Sequence, residues 1–559
     1  MFIYYYDEQK RLLLEMMLLR IFRRLFFSLI FILIGLISLV FFIRMKGLTD
    51  YFDSTNTYTE TKGKRFASPT QPVIQRASVF TNNREIGNFK STANISTSRL
   101  DLKKKNNIYN IGETIKVNII LNNGWGKPIL TGGDVLSIWM KQPSTRNSVS
   151  GYVVDNGNGS HTGFITPLWN GTSELIVSIA NTKEHIDIFT NYLKDHGIFY
   201  TIEAIFIEHK VNTSKPEHTP CNVEFGLFGN ASVCNFTKDN FGMSWYCRSP
   251  QRYNCSDWMY FTINKNINPL SNKSLHLFRT SVHQRTKIDV TIKDNGKFKL
   301  PILQNCMAIS KNLTWKKPAP TGYYQKGKWK NLICNTELPR TPKDYFKCLE
   351  GRRLLILGDS TNRLWFANLM GFLGLTFTSG RWDEIKDKAW QKYAHAELKS
   401  RRISIDWAPH ELPFYGTQGS LRYNIRSEGF RLDEIPANSS DIVVLHWYLH
   451  IARVSHDIFR EHVRNARQAV LRLVKRAPNV DIFIKGPHSL TYVDNLLPYN
   501  FIRQKEQQIL FEEFSDLLNR VIYLDQWDAT VANENVHVHP TVSNTVDMIH
   551  TMLSYICGK

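Results

Sequence analysis

The chain has 559 residues, of which 42% are hydrophobic and 21% are charged. This is the composition of ordinary globular protein, so a mostly disordered chain is excluded. A polytopic membrane protein is excluded as well, because only one long apolar run occurs. The formal net charge of +21 favours acidic partners, which are nucleic acid, anionic lipid or acidic glycans, and the compartment decides among them.

The apolar run lies near the N-terminus. Leu25–Ile43 contains nineteen residues without a charge, which span about 28 Å as a helix and match the hydrocarbon core of a bilayer. Three arginines precede it, at positions 20, 23 and 24, so the short N-terminus is expected in the cytosol. We therefore predict a cytosolic tail (1–24), a transmembrane signal anchor (25–43) and a lumenal remainder. This is a single-pass type II protein of the Golgi or secretory pathway. The alternative is a cleaved signal peptide and a secreted protein.

Cysteines and glycosylation sequons support a lumenal location. All eight cysteines follow the anchor, at positions 221, 234, 247, 255, 306, 334, 348 and 557. Their even number and the absence of a CxxC pair predict disulfides. Ten N-x-S/T sequons also follow the anchor, at asparagines 94, 158, 170, 212, 230, 235, 254, 272, 312 and 438. Glycosylation on that side argues against nucleic acid as the partner.

The composition and the apolar pattern of the predicted lumenal part change along the chain. A polar stretch, 44–98, predicts a stem. Within 99–205, short alternating runs separated by Gly, Asn and Pro predict an antiparallel β-sandwich, with a hairpin turn at Asp155–Gly159. The four clearest runs are Glu113–Leu121, Asp134–Met140, Gly151–Asp155 and Ser173–Ala180. The next region, 206–343, holds six cysteines and predicts a segment stabilised by disulfides.

The last segment, 344–559, predicts an α/β domain with a parallel sheet. Four apolar runs have the character of buried parallel strands: Arg353–Gly358, Asp441–Trp447, Val480–Gly486 and Arg520–Asp525. Helical periodicity occurs between them, over Phe459–Lys475 and Gln504–Asn519. Because Cys348 and Cys557 flank this domain and the other six cysteines can pair among themselves, we predict a Cys348–Cys557 bond.

The first of these strands leads into a motif that can support nucleophilic chemistry. Gly358 permits a sharp turn, and Ser360 falls at the start of the next helix, where free N–H groups can stabilise an oxyanion. A serine needs a base, and histidines 537 and 539 lie in the C-terminal loop. Without that loop, Ser360 is equally well explained as a helix N-cap.

The motifs resemble those of the PC-esterase domain, a branch of the Gly-Asp-Ser-Leu/SGNH hydrolases. The resemblance rests on Gly358-Asp359-Ser360-Thr361 with Arg363 and Trp365, on the His450 segment, and on Val-His539-Pro before a terminal Tyr-Ile-Cys557. The upstream sandwich, with Phe164–Trp169, resembles filamin and immunoglobulin domains, and the stretch ending at Cys334 is similar to neurexophilins. The sequence therefore resembles the neurexophilin and PC-esterase domain family over nearly all of the chain beyond the stem.

The resemblance implies a multidomain fold that ends in an SGNH-hydrolase-like domain, with Ser360 as nucleophile and His539 as general base. The Asp-x-x-His pattern of the family is broken, because Val536 stands three residues before His539. We favour Asp528 as the orienting acid and keep Glu534 with His537 as the reserve.

Five further residues are predicted around the oxyanion and substrate: Gly358, Asp359, Asn362, Arg363 and His450. His450 matches the histidine of the PC-esterase version, in place of the superfamily's oxyanion-hole asparagine, although a core or capping role would explain it equally well. Asp359 is expected to order the turn. Arg363 is a candidate contact for an acidic substrate, and a solvated helix arginine is its alternative.

The predicted function is a lumenal serine-dependent O-acyltransferase or acylesterase that acts on hydroxyls of glycoconjugates, with acidic glycans and sialic acid O-acetylation as candidates. No bound cofactor is predicted; acetyl-CoA is the candidate acyl donor. One alternative is a catalytically inactive ectodomain that binds a cell-surface protein through its sandwich. Another is a zinc hydrolase that uses His537 and His539 with His446 or His450.

The predicted topology is testable with intact microsomes. Protease added from outside should remove at most the short N-terminus, because every sequon and cysteine lies beyond Ile43. Immunoblotting against the C-terminal domain measures this, with detergent-permeabilised microsomes as the control. Digestion of that domain without detergent would refute the lumenal location.

Overall fold

The computed structural model describes residues 89–207, 215–264, 285–316, 320–336, 341–379, 393–414, 420–490 and 497–558. All of these belong to one compact unit, Val79–Lys559. None of the helices in these ranges is both long enough and apolar enough to cross a bilayer. The predicted tail and anchor, 1–43, lie outside the described residues, as does most of the predicted stem.

The first half of the described chain is mainly β-structure. Its strands are β1 (Ala93–Leu102), β2 (Ile108–Asn110), β3 (Ile115–Asn123), β4 (Val135–Gln142), β5 (Asn147–Ser150), β6 (Tyr152–Asp155), β7 (Ser160–Ile165), β8 (Gly171–Asn181), β9 (Thr201–Phe206), β10 (Glu217–Asn222), β11 (Val233–Asn235), β12 (Tyr246–Arg248), β13 (Trp258–Asn264), β14 (Arg285–Lys293), β15 (Gly322–Gln325) and β16 (Lys328–Asn331). Helix α1 (Lys183–His196) follows β8.

Two of the sheets pack face to face as a β-sandwich. Their strand orders are β1-β3-β7-β6 and β16-β15-β5-β4-β8-β14-β2. In β3, alternate side chains from Ile115 to Leu121 are buried, and they meet Leu175, Val177 and Ile179 of β8 in one core. The predicted hairpin is confirmed, because β6 and β7 pair antiparallel across a turn in which Gly157 and Gly159 have positive φ.

The sandwich is larger than the predicted range 99–205. Strand β1 begins at Ala93, inside the predicted stem, and strands β14, β15 and β16 come from the predicted cysteine-rich region. The rest of that region forms a third sheet in the order β11-β12-β10-β9-β13-β21. Its strand β9 comes from the end of the range predicted as the sandwich, and β21 belongs to the C-terminal domain. The modules are therefore interleaved, and cuts at residues 205 and 343 would divide sheets.

The second half is the α/β domain. Its elements are α2 (Pro342–Leu349), β17 (Arg353–Leu357), α3 (Ser360–Leu373), β18 (Thr376–Ser379), β19 (Ala394–Leu398), β20 (Ile403–Ala408), β21 (Ser420–Leu421), α4 (Glu428–Asp433), β22 (Ile442–Leu445), α5 (His456–Arg476), β23 (Asp481–Lys485), α6 (Tyr499–Glu513), β24 (Val521–Leu524), α7 (Trp527–Ala532) and α8 (Val542–Ser554).

The sheet of this domain has the order β18-β19-β20-β17-β22-β23-β24. Strands β20, β17, β22, β23 and β24 pair in parallel, which confirms the four predicted strands and adds β20. Strands β18 and β19 add an antiparallel edge. The parallel strands end at one edge, which is where an α/β sheet carries its ligands.

Helix α7 joins the two halves. Its residues Trp527 and Val531 pack on Trp139 and Ile176, which project from the outer face of the sandwich. That packing explains why β4 is buried on both faces, although an antiparallel strand usually exposes one.

The described cysteines form four disulfides: Cys221–Cys247, Cys234–Cys255, Cys306–Cys334 and Cys348–Cys557. The predicted link between the ends of the α/β domain is confirmed. Eight of the ten sequon asparagines lie in the described ranges, and none of these eight is buried. Both features suit an oxidising compartment where glycans are added.

The terminal disulfide should stabilise the C-terminal helix. Cys348 and Cys557 are 209 residues apart, so in the chain-entropy model their bond is worth about 5 kcal/mol. Replacing both by alanine should lower the melting temperature and speed amide hydrogen exchange in α8. As a control, replacing Cys221 and Cys247, which are only 26 residues apart, should leave exchange in α8 unchanged. Unchanged exchange in the first variant would contradict the predicted role.

Candidate active site

The candidate active site lies where strand β17 ends. Gly358 adopts a φ of +144°, and a Cβ there would lie 2.7 Å from the carbonyl oxygen of His446, so only glycine fits. Asp359 is the N-cap of α3, and Ser360 is its first residue. The N–H groups of Thr361, Asn362 and Arg363 all donate to Asp359, so within the described residues the Ser360 N–H is the donor that stays open for an oxyanion at the start of α3.

Ser360 is paired with a histidine from the far end of the chain. The Oγ of Ser360 lies 2.7 Å from Nε2 of His539, on the loop between α7 and α8. Burial lowers the pKa of His539, with Arg363 acting in the same direction, and the opposing field of Asp359 does not cancel the shift. The imidazole is therefore neutral at pH 7 and can accept the serine proton. The structure brings together the two residues predicted as nucleophile and base.

Asp359 is a buried carboxylate that organises the turn. Its Oδ1 accepts hydrogen bonds from the N–H and the hydroxyl of Thr361, at 2.8 and 2.7 Å, and its Oδ2 accepts one from the N–H of Leu449, at 2.9 Å. Burial raises the pKa of this carboxyl, but His446 and other neighbours, including Lys485, outweigh it and hold the pKa well below its usual range. Asp359 is thus an ionised structural group, in line with the ordering role expected of it.

Lys485 is a central residue that the sequence reasoning missed. It ends β23, is 1% exposed, and its Nζ donates to Thr361 Oγ1 at 2.6 Å and to Asn362 Oδ1 at 3.1 Å. Burial lowers its pKa to about 7, against the opposing effect of Asp359. The available signal was a lysine at the end of an otherwise apolar strand, IFIK. Such a lysine has to be buried with a partner.

Gly358 and Asn362, two of the residues predicted around the oxyanion, form hydrogen bonds within the protein instead. The N–H of Gly358 donates to the carbonyl of Ala408 at 3.0 Å, so it belongs to the sheet and cannot serve an oxyanion. The amide of Asn362 is fully buried: it donates to the Leu357 carbonyl at 2.8 Å and accepts from Lys485. Both residues shape the turn and do not face a substrate.

His450 does not fit the predicted role of oxyanion donor. Its Nδ1 lies 3.1 Å from the carbonyl oxygen of Phe414, and a carbonyl only accepts, so Nδ1 carries the hydrogen. Burial lowers the pKa of His450 to about 3, despite the opposing field of Asp359. The ring is neutral, and its remaining nitrogen, Nε2, is an acceptor. A core role, the alternative given by the sequence, agrees with this geometry.

Arg363 lies one turn after Ser360 and is half-buried. Burial lowers its pKa, yet an arginine keeps its charge at neutral pH. The charge is close enough to His539 to lower the pKa of that histidine. Contact with an acidic substrate stays a prediction for this residue.

Asp528 and Glu534, the two candidate acids of the triad, bind residues other than the histidines. Asp528 Oδ2 accepts from the N–H and the hydroxyl of Thr321, both at 2.8 Å. Glu534 accepts from Trp139 Nε1 and Lys141 Nζ, both at 3.0 Å. Both carboxylates thus bind residues on the β-sandwich side, because α7 and the turn that follows it face the sandwich. Within the described residues, His539 forms no ion pair with a carboxylate, and neither does His537.

The loop that carries His539 is fixed through its backbone instead. His488 is fully buried, and its Nε2 donates to the carbonyl of Val538 at 2.9 Å. The side chain of Asn535 donates to the carbonyls of Ser489 and His537, at 2.8 and 2.9 Å. His488 and Asn535 are positioning residues that the sequence reasoning missed, since nothing in their spacing distinguishes them.

The zinc-site alternative finds no ligand cluster in the described residues, where no three His, Cys, Asp or Glu side chains are arranged to hold a metal ion. His537 is exposed, and His446 uses Nδ1 to donate to the Lys485 carbonyl at 2.8 Å. These side chains do not converge on one point.

Burial of Lys485 predicts a pH-dependent stability. Its pKa is about 7 in the folded chain, and the ordinary pKa of a lysine is 10.5, so the unfolded chain binds more protons between these values. This group therefore makes stability rise as pH rises from 7 to 10.5. The Lys485→Met variant should lack that rise, measured as melting temperature against pH, whereas a Lys475→Met variant, at an exposed lysine, should retain it. Parallel curves for all three proteins would contradict the assignment.

Comparison with protein-family models gives two matches. Residues 329–557 match the model described as NXPE family member 4-like, C-terminal domain, and residues 102–268 match the model described as Neurexophilin. The matches occur in the order that the sequence motifs predicted, and together they cover the α/β domain and the sandwich strands from β2 to β8. The chain therefore belongs to the neurexophilin and PC-esterase domain family.

Proposed function

We propose that this chain is a serine-dependent O-acyltransferase or acylesterase that acts on glycan hydroxyls in the secretory pathway. The observation that carries the proposal is the 2.7 Å hydrogen bond between Ser360 Oγ and His539 Nε2 at the start of a helix. A neutral imidazole on a serine hydroxyl, beside the open N–H of Ser360, supplies the base and one oxyanion donor for nucleophilic acyl transfer. The strand–turn–helix around Gly-Asp-Ser also resembles the SGNH-type hydrolases.

The first half of the reaction loads the acyl group onto the enzyme. Ser360 Oγ attacks the acyl carbonyl carbon while His539 Nε2 takes the hydroxyl proton. The carbonyl oxygen becomes an oxyanion that accepts a hydrogen bond from the N–H of Ser360. When the intermediate collapses, the bond to the leaving group breaks and the leaving group takes the proton from His539. The product is an acyl-Ser360 ester.

The second half returns the acyl group to an acceptor. His539 removes a proton from a sugar hydroxyl or from water, which attacks the ester carbonyl, and the proton passes to Ser360 Oγ as the bond breaks. A sugar acceptor makes the chain a transferase, and water makes it an esterase. Acetyl-CoA is the proposed donor for transfer, and sialic acid of acidic glycans is the proposed acceptor.

Different observations support the proposed location and the proposed substrate class. Four disulfides indicate an oxidising environment, and the described sequon asparagines are at least partly exposed. The net charge of +21 favours acidic partners. Glycoconjugates of the Golgi or the cell surface meet both conditions.

One observation favours the alternative function, an inactive binding ectodomain. In serine hydrolases a carboxylate usually holds the base in its productive tautomer, and loss of that carboxylate costs up to about 10⁴-fold in rate. Within the described residues His539 has no such bond. If the dyad is too weak to work, the sandwich and the third sheet would act as a ligand for a cell-surface protein.

A covalent probe distinguishes these functions without knowledge of the substrate. The ectodomain should react with a fluorophosphonate at Ser360, detected by mass spectrometry of the labelled peptide. Ser360→Ala should abolish labelling and lower hydrolysis of an aryl acetate at least about 10³-fold, since it removes the nucleophile. Ser515→Ala, which changes an exposed serine of the same domain, should leave both unchanged.

Three results would decide against the proposal. The first is no labelling of folded wild-type protein, which would favour the binding ectodomain. The second is wild-type hydrolysis by Ser360→Ala, and the third is labelling of that variant at another residue. In the last two cases a different group would be the nucleophile.

A further inference from the structure

One glycosylation sequon of this chain contains a cysteine that forms a disulfide. Of the ten sequons, only Asn254-Cys255-Ser256 has a cysteine as its middle residue. Cys255 is bonded to Cys234, which lies 21 residues earlier in the chain. Glycosylation of Asn254 and oxidation of Cys255 therefore act on neighbouring residues of the same short segment.

The disulfide attaches this segment to the third sheet. Cys234 belongs to β11, is 1% exposed, and lies opposite Cys247 of the neighbouring strand β12. The Cα atoms of Cys234 and Cys255 are 5.6 Å apart, so Cys255 cannot leave the sheet while the bond exists.

The backbone of the bonded segment is compact. Cys255–Asp257 form a short 3₁₀-helix, and Asn254 directly precedes it. The N–H of Asn254 donates to Asp257 Oδ2 at 2.8 Å, and the N–H of Asp257 donates to the carbonyl oxygen of Asn254 at 3.0 Å. An enzyme that glycosylates a sequon has to enclose its asparagine and its serine together. A segment held in this turn and bonded to a sheet cannot be drawn into such a cleft.

The order of synthesis brings the two reactions into competition. The 21 residues from Cys234 to Cys255 take about 1–4 s to synthesise, at about 5–20 residues per second. In a lumenal chain, Cys234 is therefore already present when Cys255 arrives. Disulfide formation takes seconds to hours, depending on the oxidant and the isomerase. Because these times overlap, either reaction can come first.

From this arrangement we propose that Asn254 is a conditional N-glycosylation site, which accepts a glycan only while Cys255 is a free thiol. In the reaction, Asn254 Nδ2 attacks C1 of the first sugar of a lipid-linked oligosaccharide. The bond from C1 to the lipid pyrophosphate breaks as the N–C1 bond forms, and the amide nitrogen loses one proton.

The competition produces two forms of the protein with the same disulfides. Asn254 is exposed in the bonded chain, so a glycan that is already attached leaves room for the disulfide to form afterwards. Chains in which the disulfide forms first stay without a sugar at this position. Asn235 differs, although it directly follows Cys234, because no cysteine lies inside its sequon and Cys255 is synthesised after it. We therefore expect full glycosylation of Asn235.

Occupancy can be measured separately at each sequon. The full-length chain from cultured animal cells is treated with peptide-N-glycosidase F in heavy-oxygen water, and mass spectrometry counts the labelled aspartates. Asn230, in an exposed Asn-Ala-Ser sequon without cysteine, is the reference. Occupancy of Asn254 should be less than half that of Asn230. Cys234→Ser, which leaves the sequon of Asn254 intact, should raise that occupancy at least about twofold.

Two controls separate this competition from general misfolding. Cys221→Ser removes a different disulfide of the same sheet, Cys221–Cys247, and should leave occupancy of Asn254 unchanged. A membrane-permeant thiol given to the cells during a short labelling pulse delays the disulfide without any substitution. It should raise occupancy at Asn254 and leave Asn230 as it was.

The remaining outcomes would overturn the inference. They are equal occupancy of Asn254 and Asn230 in the wild-type chain, low occupancy that neither Cys234→Ser nor the thiol raises, and a rise in Cys221→Ser as well. The inference depends on the proposed lumenal location but not on the acyl-transfer activity. An unglycosylated Asn230 would refute the location and the inference together, whereas missing fluorophosphonate labelling of Ser360 would leave the inference intact.

Discussion

The site depends on one buried charge, the carboxylate of Asp359. A carboxylate that is fully enclosed has to be compensated, because desolvation strongly disfavours an unpaired ion. Thr361 supplies the link: its hydroxyl donates to Asp359 and accepts from Lys485, so that an anion and a cation share one bridging oxygen. The N–H of Leu449 completes the shell. Strands β17, β22 and β23 are thereby connected at their carboxyl ends, and the position of Ser360 follows from that connection.

The same arrangement explains the choice of residues around the nucleophile. Lys485 occupies the amide oxygen of Asn362, and the amide nitrogen is held by the Leu357 carbonyl, so this side chain has no freedom to meet a substrate. What remains open at the turn is the hydroxyl and the N–H of Ser360. For the proposed function, substrate recognition would therefore depend on groups outside the turn, among them Arg363 and the loop of His539.

The β-sandwich adjoins it directly. Glu534 and Asp528, on either side of the end of α7, bind the sandwich side through Lys141 and Thr321. The exact placement of His539 thus depends on contacts with residues almost 400 positions away in sequence. A truncated α/β domain would lose these contacts, and the fusion of the two modules has a structural reason.

Sequence patterns predicted those parts of the molecule in which the spacing of apolar residues matches their burial in the folded chain. The strands of the parallel sheet were apolar runs because both faces are buried, and the Cys348–Cys557 bond followed from the position of the cysteines at the domain ends. Ser360 and His539 were found through motifs. Strand β19, AHAEL, was missed because alanine and glutamate have low strand propensity and tertiary pairing overrides it.

The residues around the Gly-Asp-Ser motif could not be predicted, because their contacts depend on tertiary packing. Whether a carboxylate orients a histidine or binds another module depends on the direction in which its helix faces, and that direction is set by packing. Asp528 and Glu534 were reasonable acids by spacing, but Trp527 and Val531 turn their helix toward the sandwich. Lys485 was overlooked because periodicity describes the apolar residues of a strand and carries no information about a polar group that ends it.

Within the part of the chain that the structure describes, no carboxylate orients His539, and this limits the chemistry of the proposed dyad. Among the described residues, the field of Asp359 would stabilise the imidazolium, because it raises the pKa of His539, but desolvation outweighs it. Expulsion of an amine from an amide demands full protonation by a strong acid–base pair. A thiolate or a sugar alkoxide stabilised by neighbouring groups demands less help, because it is the better leaving group. For the proposed function, a Ser–His dyad of this strength therefore suits thioester and ester exchange better than amide cleavage.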